Sequence, residues 1–137
     1  MTDPLIIPTI YTPHLQLSAA LASDAHGIYQ LYSDPVITRY LGIELMGAVE
    51  DAQRWLEHHT DRQAKGLGML MTIRKIEGDD IIGTCSIEEI NSYHHNATIG
   101  YSLAHAYWGK GLMREALLAV VDYLFTGLTE VYLQRLQ

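Results

Sequence analysis

The apolar positions of this 137-residue chain switch between two periods, and the switches mark out its elements. After an extended, proline-containing lead-in over residues 1–13, Leu15 and Leu17 alternate with His14, Gln16 and Ser18, a short strand pattern. Ser23 or Asp24 can then cap a helix that carries Ile28, Leu31 and Tyr32 inward. Ser33-Asp34-Pro35 ends it, because the residue before proline is pushed out of the helical region. Val36 to Leu41 reads as a helical turn. From Ala48 to Lys65 the positions Ala48, Val49, Ala52, Trp55, Leu56 and His59 follow the spacing of an amphipathic helix, which Gly66 ends.

The middle of the chain reads as β. Met69–Ile76, Ile81–Ile90 and Ala97–Leu103 are predicted strands, separated by the turn Glu77-Gly78-Asp79-Asp80 and the loop Asn91 to Asn96. Such short connections predict an antiparallel meander. A helix from about Gly111 to Thr126 is expected to cross back over the sheet. Its polar residues Arg114, Glu115 and Asp122 form a narrow stripe, so most of it should be buried. Val131 to Leu136 reads as a further strand. The whole predicts one α+β domain over 1–137, a mainly antiparallel central sheet flanked by helices.

Composition narrows the classes. The chain is 48% hydrophobic, which fits a globular domain. Its longest apolar run, Ala116 to Val121, falls well short of the roughly 20 residues a membrane span needs. Met1-Thr2-Asp3-Pro4 lacks a basic stretch followed by an apolar core, so no secretory leader is expected. The single cysteine, Cys85, cannot form an internal disulfide, which agrees with a reducing cytoplasm. The net charge of −7 argues against a nucleic-acid partner.

The chemistry concentrates at Trp108-Gly109-Lys110-Gly111-Leu112-Met113-Arg114, where two glycines open a long apolar helix. A helix start leaves N–H groups without intrahelical partners and carries partial positive charge. Glycines let a ligand approach that backbone, so the turn suits an anion. It is not a Walker loop, because Gly-Lys is followed by Gly111 and not by Ser or Thr. Nor is it a dinucleotide fingerprint, because Arg114 stands at the third glycine and the preceding strand belongs to a meander.

Five segments in register resemble the GNAT N-acetyltransferases, in particular the RimJ/RimL-like branch that acetylates ribosomal-protein N-termini. They are Thr12–Leu17, Ser33–Leu41, Ile82-Gly83-Thr84, Ile99–Leu103 and Tyr107–Leu117. The resemblance implies acetyl-CoA as cosubstrate, no metal, and direct attack by an amine. It implies a pyrophosphate loop at Trp108, Gly109, Lys110, Gly111, Leu112 and Met113, with Arg114 at the helix start. Tyr101, Ser102 and Leu103 would line the pantetheine arm, and a backbone N–H near Leu103 would polarise the thioester.

An attacking amine must lose a proton. Alternation places Glu88 and Glu89 on opposite faces of a strand near the expected cleft, and Glu88 is the preferred general base. Tyr101 and His105 are further candidates. His94 and His95 read as loop histidines, and His58 and His59 point different ways on a helix, so neither pair is expected to hold metal. Cys85 reads as a small core residue.

The resemblance also implies a further helix and closing strands after the fifth strand, where Val131–Gln137 ends this sequence. A C-terminally truncated domain, an open strand edge and self-association into a homodimer or larger assembly are therefore expected. So is a choice between a working enzyme and a catalytically weak remnant that binds CoA or acts through its interfaces.

Overall fold

The computed structural model describes residues 8–91 and 96–124. Its central sheet has the order β1-β2-β3-β4-β5, with every neighbouring pair antiparallel. The strands are β1 (Ile10–Tyr11), β2 (Leu15–Ala19), β3 (Met69–Lys75), β4 (Gly83–Asn91) and β5 (Asn96–Leu103). The helices are α1 (Ala25–Tyr32), α2 (Pro35–Leu41), α3 (Val49–Ala64) and α4 (Leu112–Tyr123). The antiparallel meander expected from the sequence is β3-β4-β5. The strand expected at Val131 to Leu136 lies outside the described residues, as does Thr126, the expected end of the last helix.

Period-two alternation divides the core between the two faces of the sheet. Leu15, Leu17, Met69, Met71, Ile73, Cys85 and Ile87 point to one face and pack with Leu112, Ala116 and Val120 of α4. Leu70 points to the other, where Ile28, Leu31 and Tyr32 of α1 meet Ile37 of α2 and Ala52 and Leu56 of α3. The α4 helix is buried along one stripe only. Arg114 and Asp122 are exposed, and Leu118 keeps 59% of its surface, so this helix is less buried than its composition suggested. A single apolar stripe is enough to seat a helix on a sheet.

Local chemistry sets the helix ends. Asp34 accepts from the Val36 N–H at 2.9 Å, Pro35 fills the first position of α2, and Gly42 closes it at φ 70°. Asp51 accepts from the N–H groups of Gly47 and Ala48 at 2.9 and 3.2 Å, bracing the start of α3. Asp24 stands at the cap position of α1, yet its carboxylate makes no cap bond there. It accepts instead from the Leu21 N–H at 2.8 Å and from Arg74 at 2.9 Å, because β3 brings that guanidinium within reach. Its pull on the sheet therefore replaces the capping role expected from the sequence.

Candidate active site

A cavity of about 250 Å³ opens where the end of β5, α2 and the start of α4 converge. From β5 come Tyr101, Ser102 and Leu103; from the loop and α4 come Trp108, Gly109, Gly111, Leu112, Met113 and Arg114. Lys110 is absent from the lining: its ammonium lies 5.7 Å from the Tyr107 ring centroid. The sequence reading missed Ile37, Tyr40 and Leu41 of α2, which form the opposite wall, and Tyr107. The signal for all four was present, since they fall inside the Ser33–Leu41 and Tyr107–Leu117 segments already singled out.

The two glycines are required by backbone shape. Gly109 and Gly111 hold φ of 75° and 77°, the left-handed region that side-chain-bearing residues avoid. Nothing lies within 4 Å of where a Cβ would stand on either, so the turn is open to a ligand. Gly111 is the cap residue of α4 and offers no side-chain acceptor to the first turn. Those N–H groups face a region where an anion can take the place of a cap. Met113 is half-buried, packing against the core under α4 while also lining the cavity.

The register of β5 matters as much as the loop. Ala104 donates its N–H to the Ile82 carbonyl at 2.7 Å, and Gly83 stands opposite Leu103. Antiparallel pairs alternate between bonded and non-bonded, so Leu103 and Tyr101 fall in non-bonded pairs. Their N–H and C=O groups point away from β4, along an edge that pairs with no other strand among the described residues. An extended ligand arm can bond to such an edge as a strand would.

Ser102 projects to the opposite face. Its hydroxyl lies 2.9 Å from both the Tyr32 and Thr84 hydroxyls, which are 2.7 Å from each other. Three hydroxyls with three protons close this ring if each donates once. Burial pushes the Tyr32 phenol above its ordinary pKa against the pull of these bonds, so it stays neutral.

Glu88 lies outside the cavity lining. The pairing jumps from Ile87↔Ile99 to Glu89↔Thr98, so Glu88 is the extra residue of a β-bulge. Strict alternation is therefore interrupted at Glu88. The Glu88 carboxylate accepts from Ser86 Oγ at 3.2 Å and covers Gly100, where a Cβ would come within 3.1 Å of Oε1. It is exposed, and sits two residues along the strands from Ser102, about 7 Å at the usual rise.

Other candidates fall into place as packing. Burial drives the Cys85 thiol up to about 12, which removes it as a nucleophile. His58 and His59 touch edge-on at 5.6 Å, closer than the expected divergence, and His59 also packs on Trp55 at 4.5 Å. Burial lowers the His59 pKa. No cluster of three His, Cys, Asp or Glu suited to a metal occurs among the described residues. His94 and His95 lie outside the described residues.

Known proteins share this fold. The family model described as an acetyltransferase (GNAT) domain matches residues 14–136. The uncharacterized N-acetyltransferase p20 of Bacillus licheniformis is 35% identical over 120 residues, covering 88% of this chain and 67% of that protein. Two solved structures share the fold. The acetyltransferase of Salmonella typhimurium that modifies the N-terminal serine of ribosomal protein L7/L12 superposes with TM-score 0.73 at 22% identity, over 88% of this chain and 70% of that one. RimL, the L7/L12 N-acetyltransferase, in complex with coenzyme A superposes with TM-score 0.71 at 19% identity, over 85% and 67%. The chain thus spans about two thirds of the length of these relatives. With the match running from β2 through the two-glycine turn and α4, the chain belongs to the GNAT acetyltransferase family, whose members are acyl-CoA-dependent acyltransferases.

Proposed function

We propose that this chain transfers an acetyl group from acetyl-CoA to a primary amine, either a protein N-terminus or a small molecule. The observation that carries it is the meeting of the uncapped α4 start with the outward-facing edge of β5 in one cavity. The residues fit the cosubstrate. Gly109, Gly111 and the first turn of α4 suit a pyrophosphate, with Arg114 beside them. The main-chain groups of Tyr101 suit the amide-bearing arm, and the Leu103 N–H suits the thioester oxygen as a donor. A neutral amine forms the C–N bond as the C–S bond breaks, and the thiolate leaves to be protonated. Glu88 takes the amine proton through intervening water, since its carboxylate shares the Ser102 face and is open to solvent.

The protein-N-terminus reading draws support from the fold neighbours that act on ribosomal protein L7/L12. A cytoplasmic location follows from the same reading. Among the described residues no helix is long and apolar enough to cross a membrane. Self-association through the C-terminal strand region belongs to the proposal, because the unpaired edge expected there would accept a strand from a second copy. Concentration-dependent light scattering tests it, and a mass that stays monomeric across the micromolar range rejects it.

The cradle is tested by calorimetry with acetyl-CoA on the wild type, Gly111→Asp and Gly111→Asn. Asn tolerates the left-handed conformation and carries no charge. Loss of binding in the Asp variant with retention in the Asn variant places the anion at this turn; equal binding by all three rejects it. Thiol release with a panel of N-terminal peptides and small amines then separates turnover from CoA binding alone.

A further inference from the structure

Trp108 opens the loop in extended backbone, φ −68° and ψ 152°, and is tied down on three sides. Its indole N–H donates to the Leu103 carbonyl at 2.6 Å. Its ring meets His105 edge-on with centroids 4.6 Å apart, and Tyr40 of α2 at 5.6 Å. Lys110 and both glycines of the turn are exposed, and no hydrogen bond from a side chain reaches them among the described residues. Two glycines lose more backbone freedom on ordering than any other pair. A loop of this composition, meant to hold donors in a fixed array, needs an anchor at its base.

The acceptor that Trp108 uses is not an ordinary strand carbonyl. It is the Leu103 oxygen, which the pairing pattern turns away from β4 and toward the cavity edge. One bond therefore joins the loop to the strand that forms the other half of the site. It also occupies the acceptor at that point of the edge and leaves the Leu103 N–H as the group offered to a ligand.

We propose that Trp108 is a positioning residue that straps the two-glycine turn to the end of β5, fixing the distance between the anion cradle and the strand edge. Its indole N–H is taken up by the protein's own carbonyl, while Trp108 also stands in the lining of the cavity. The proposal rests on the cradle reading above. It predicts a selective defect when the indole N–H is removed and the aromatic ring kept.

The experiment is steady-state kinetics and CoA calorimetry on Trp108→Phe, with the thermal midpoint as a fold check. Loss of one hydrogen bond to an ordered loop should raise KM and Kd for the CoA ligand about fivefold. The KM for the amine, kcat and the midpoint should stay as in the wild type. A general packing role would move kcat, both KM values and the midpoint together, and that pattern overturns the strap. Unchanged CoA affinity overturns it too. If Trp108→Phe unfolds, benzothienylalanine at position 108 keeps the indole shape without the N–H, and the same criteria apply. Should Gly111→Asp lose CoA while the N–H-deleted variant binds normally, the cradle stands and the strap alone fails. Should Gly111→Asp bind normally, the cradle fails whatever Trp108 does.

Discussion

At the scale of single residues, the Tyr32, Thr84 and Ser102 hydroxyls show how a polar group can sit behind an apolar cavity wall. Removing one member leaves two hydroxyls with a single bond between them and a proton without its partner. Tyr32→Phe is therefore expected to cost about 1–2 kcal/mol in urea unfolding at neutral pH. The pH dependence has a definite sign. Burial holds the folded Tyr32 pKa above its ordinary 10.0, so folding favours the protonated phenol. That contribution is complete below pH 10 and declines as pH rises toward the folded value. The gap between wild type and Tyr32→Phe should narrow above pH 10; a gap constant to pH 11.5 would show that the phenol does not titrate with folding. Cys85 gives a second check. A thiol held near 12 in the core should resist a disulfide reagent at pH 8 until denaturant exposes it. Its burial was legible, because Cys85 alternates with apolar neighbours. The hydroxyl ring was not, because its members lie on three elements and only the folded register brings them together.

At the scale of elements, the bulge at Glu88 decides more than any propensity. Arg62 near the end of α3 donates to the backbone carbonyls of Leu67 and Glu88. Gly68 meanwhile passes so close to the Ile87 carbonyl that a Cβ would stand 2.7 Å from it. Arg62→Ala should leave KM for acetyl-CoA unchanged and lower kcat, because the carboxylate proposed as base loses its anchored backbone. An unchanged kcat would remove Arg62 from the site. The sequence could not show this, since a one-residue insertion in a ladder shifts every later side chain without altering composition. A second inter-element tie joins α4 to the β1–β2 turn. Glu115 accepts from Thr12 Oγ1 at 2.5 Å and from the His14 N–H and ring at 2.9 and 2.8 Å. Burial pushes its pKa up, but these bonds and the His14 charge together bring it below the usual carboxylate value. Its contribution is thus present above pH 4.5 and lost as pH falls through the folded value. Glu115→Gln should flatten the acid limb of the stability profile; a parallel acid limb would show that the tie carries no linkage.

At the scale of the molecule, one sheet carries two apolar clusters, and the site sits at the seam between them. The α4 side holds Ile73 and Val120, and the α1–α3 side holds Ile28 and Leu56. The residues of β3 alternate between the clusters, so neither can be lost without exposing the strand that serves both. The two tryptophans report on different regions: Trp55 packs on Tyr32 at 5.2 Å beneath the sheet, and Trp108 stands at the cavity mouth. Ile28→Ala and Ile73→Ala should each cost about 2–4 kcal/mol, the range for emptying a closed core site. If the sheet couples the clusters, Trp55→Phe and Trp108→Phe proteins will show one shared urea transition in either background, and it will match the far-ultraviolet circular dichroism. Separate midpoints would mean that the cavity region opens independently of the α1–α3 cluster. The loop would then be held by α4 alone, and the tie from Trp108 to β5 would have to form anew each time the site closed.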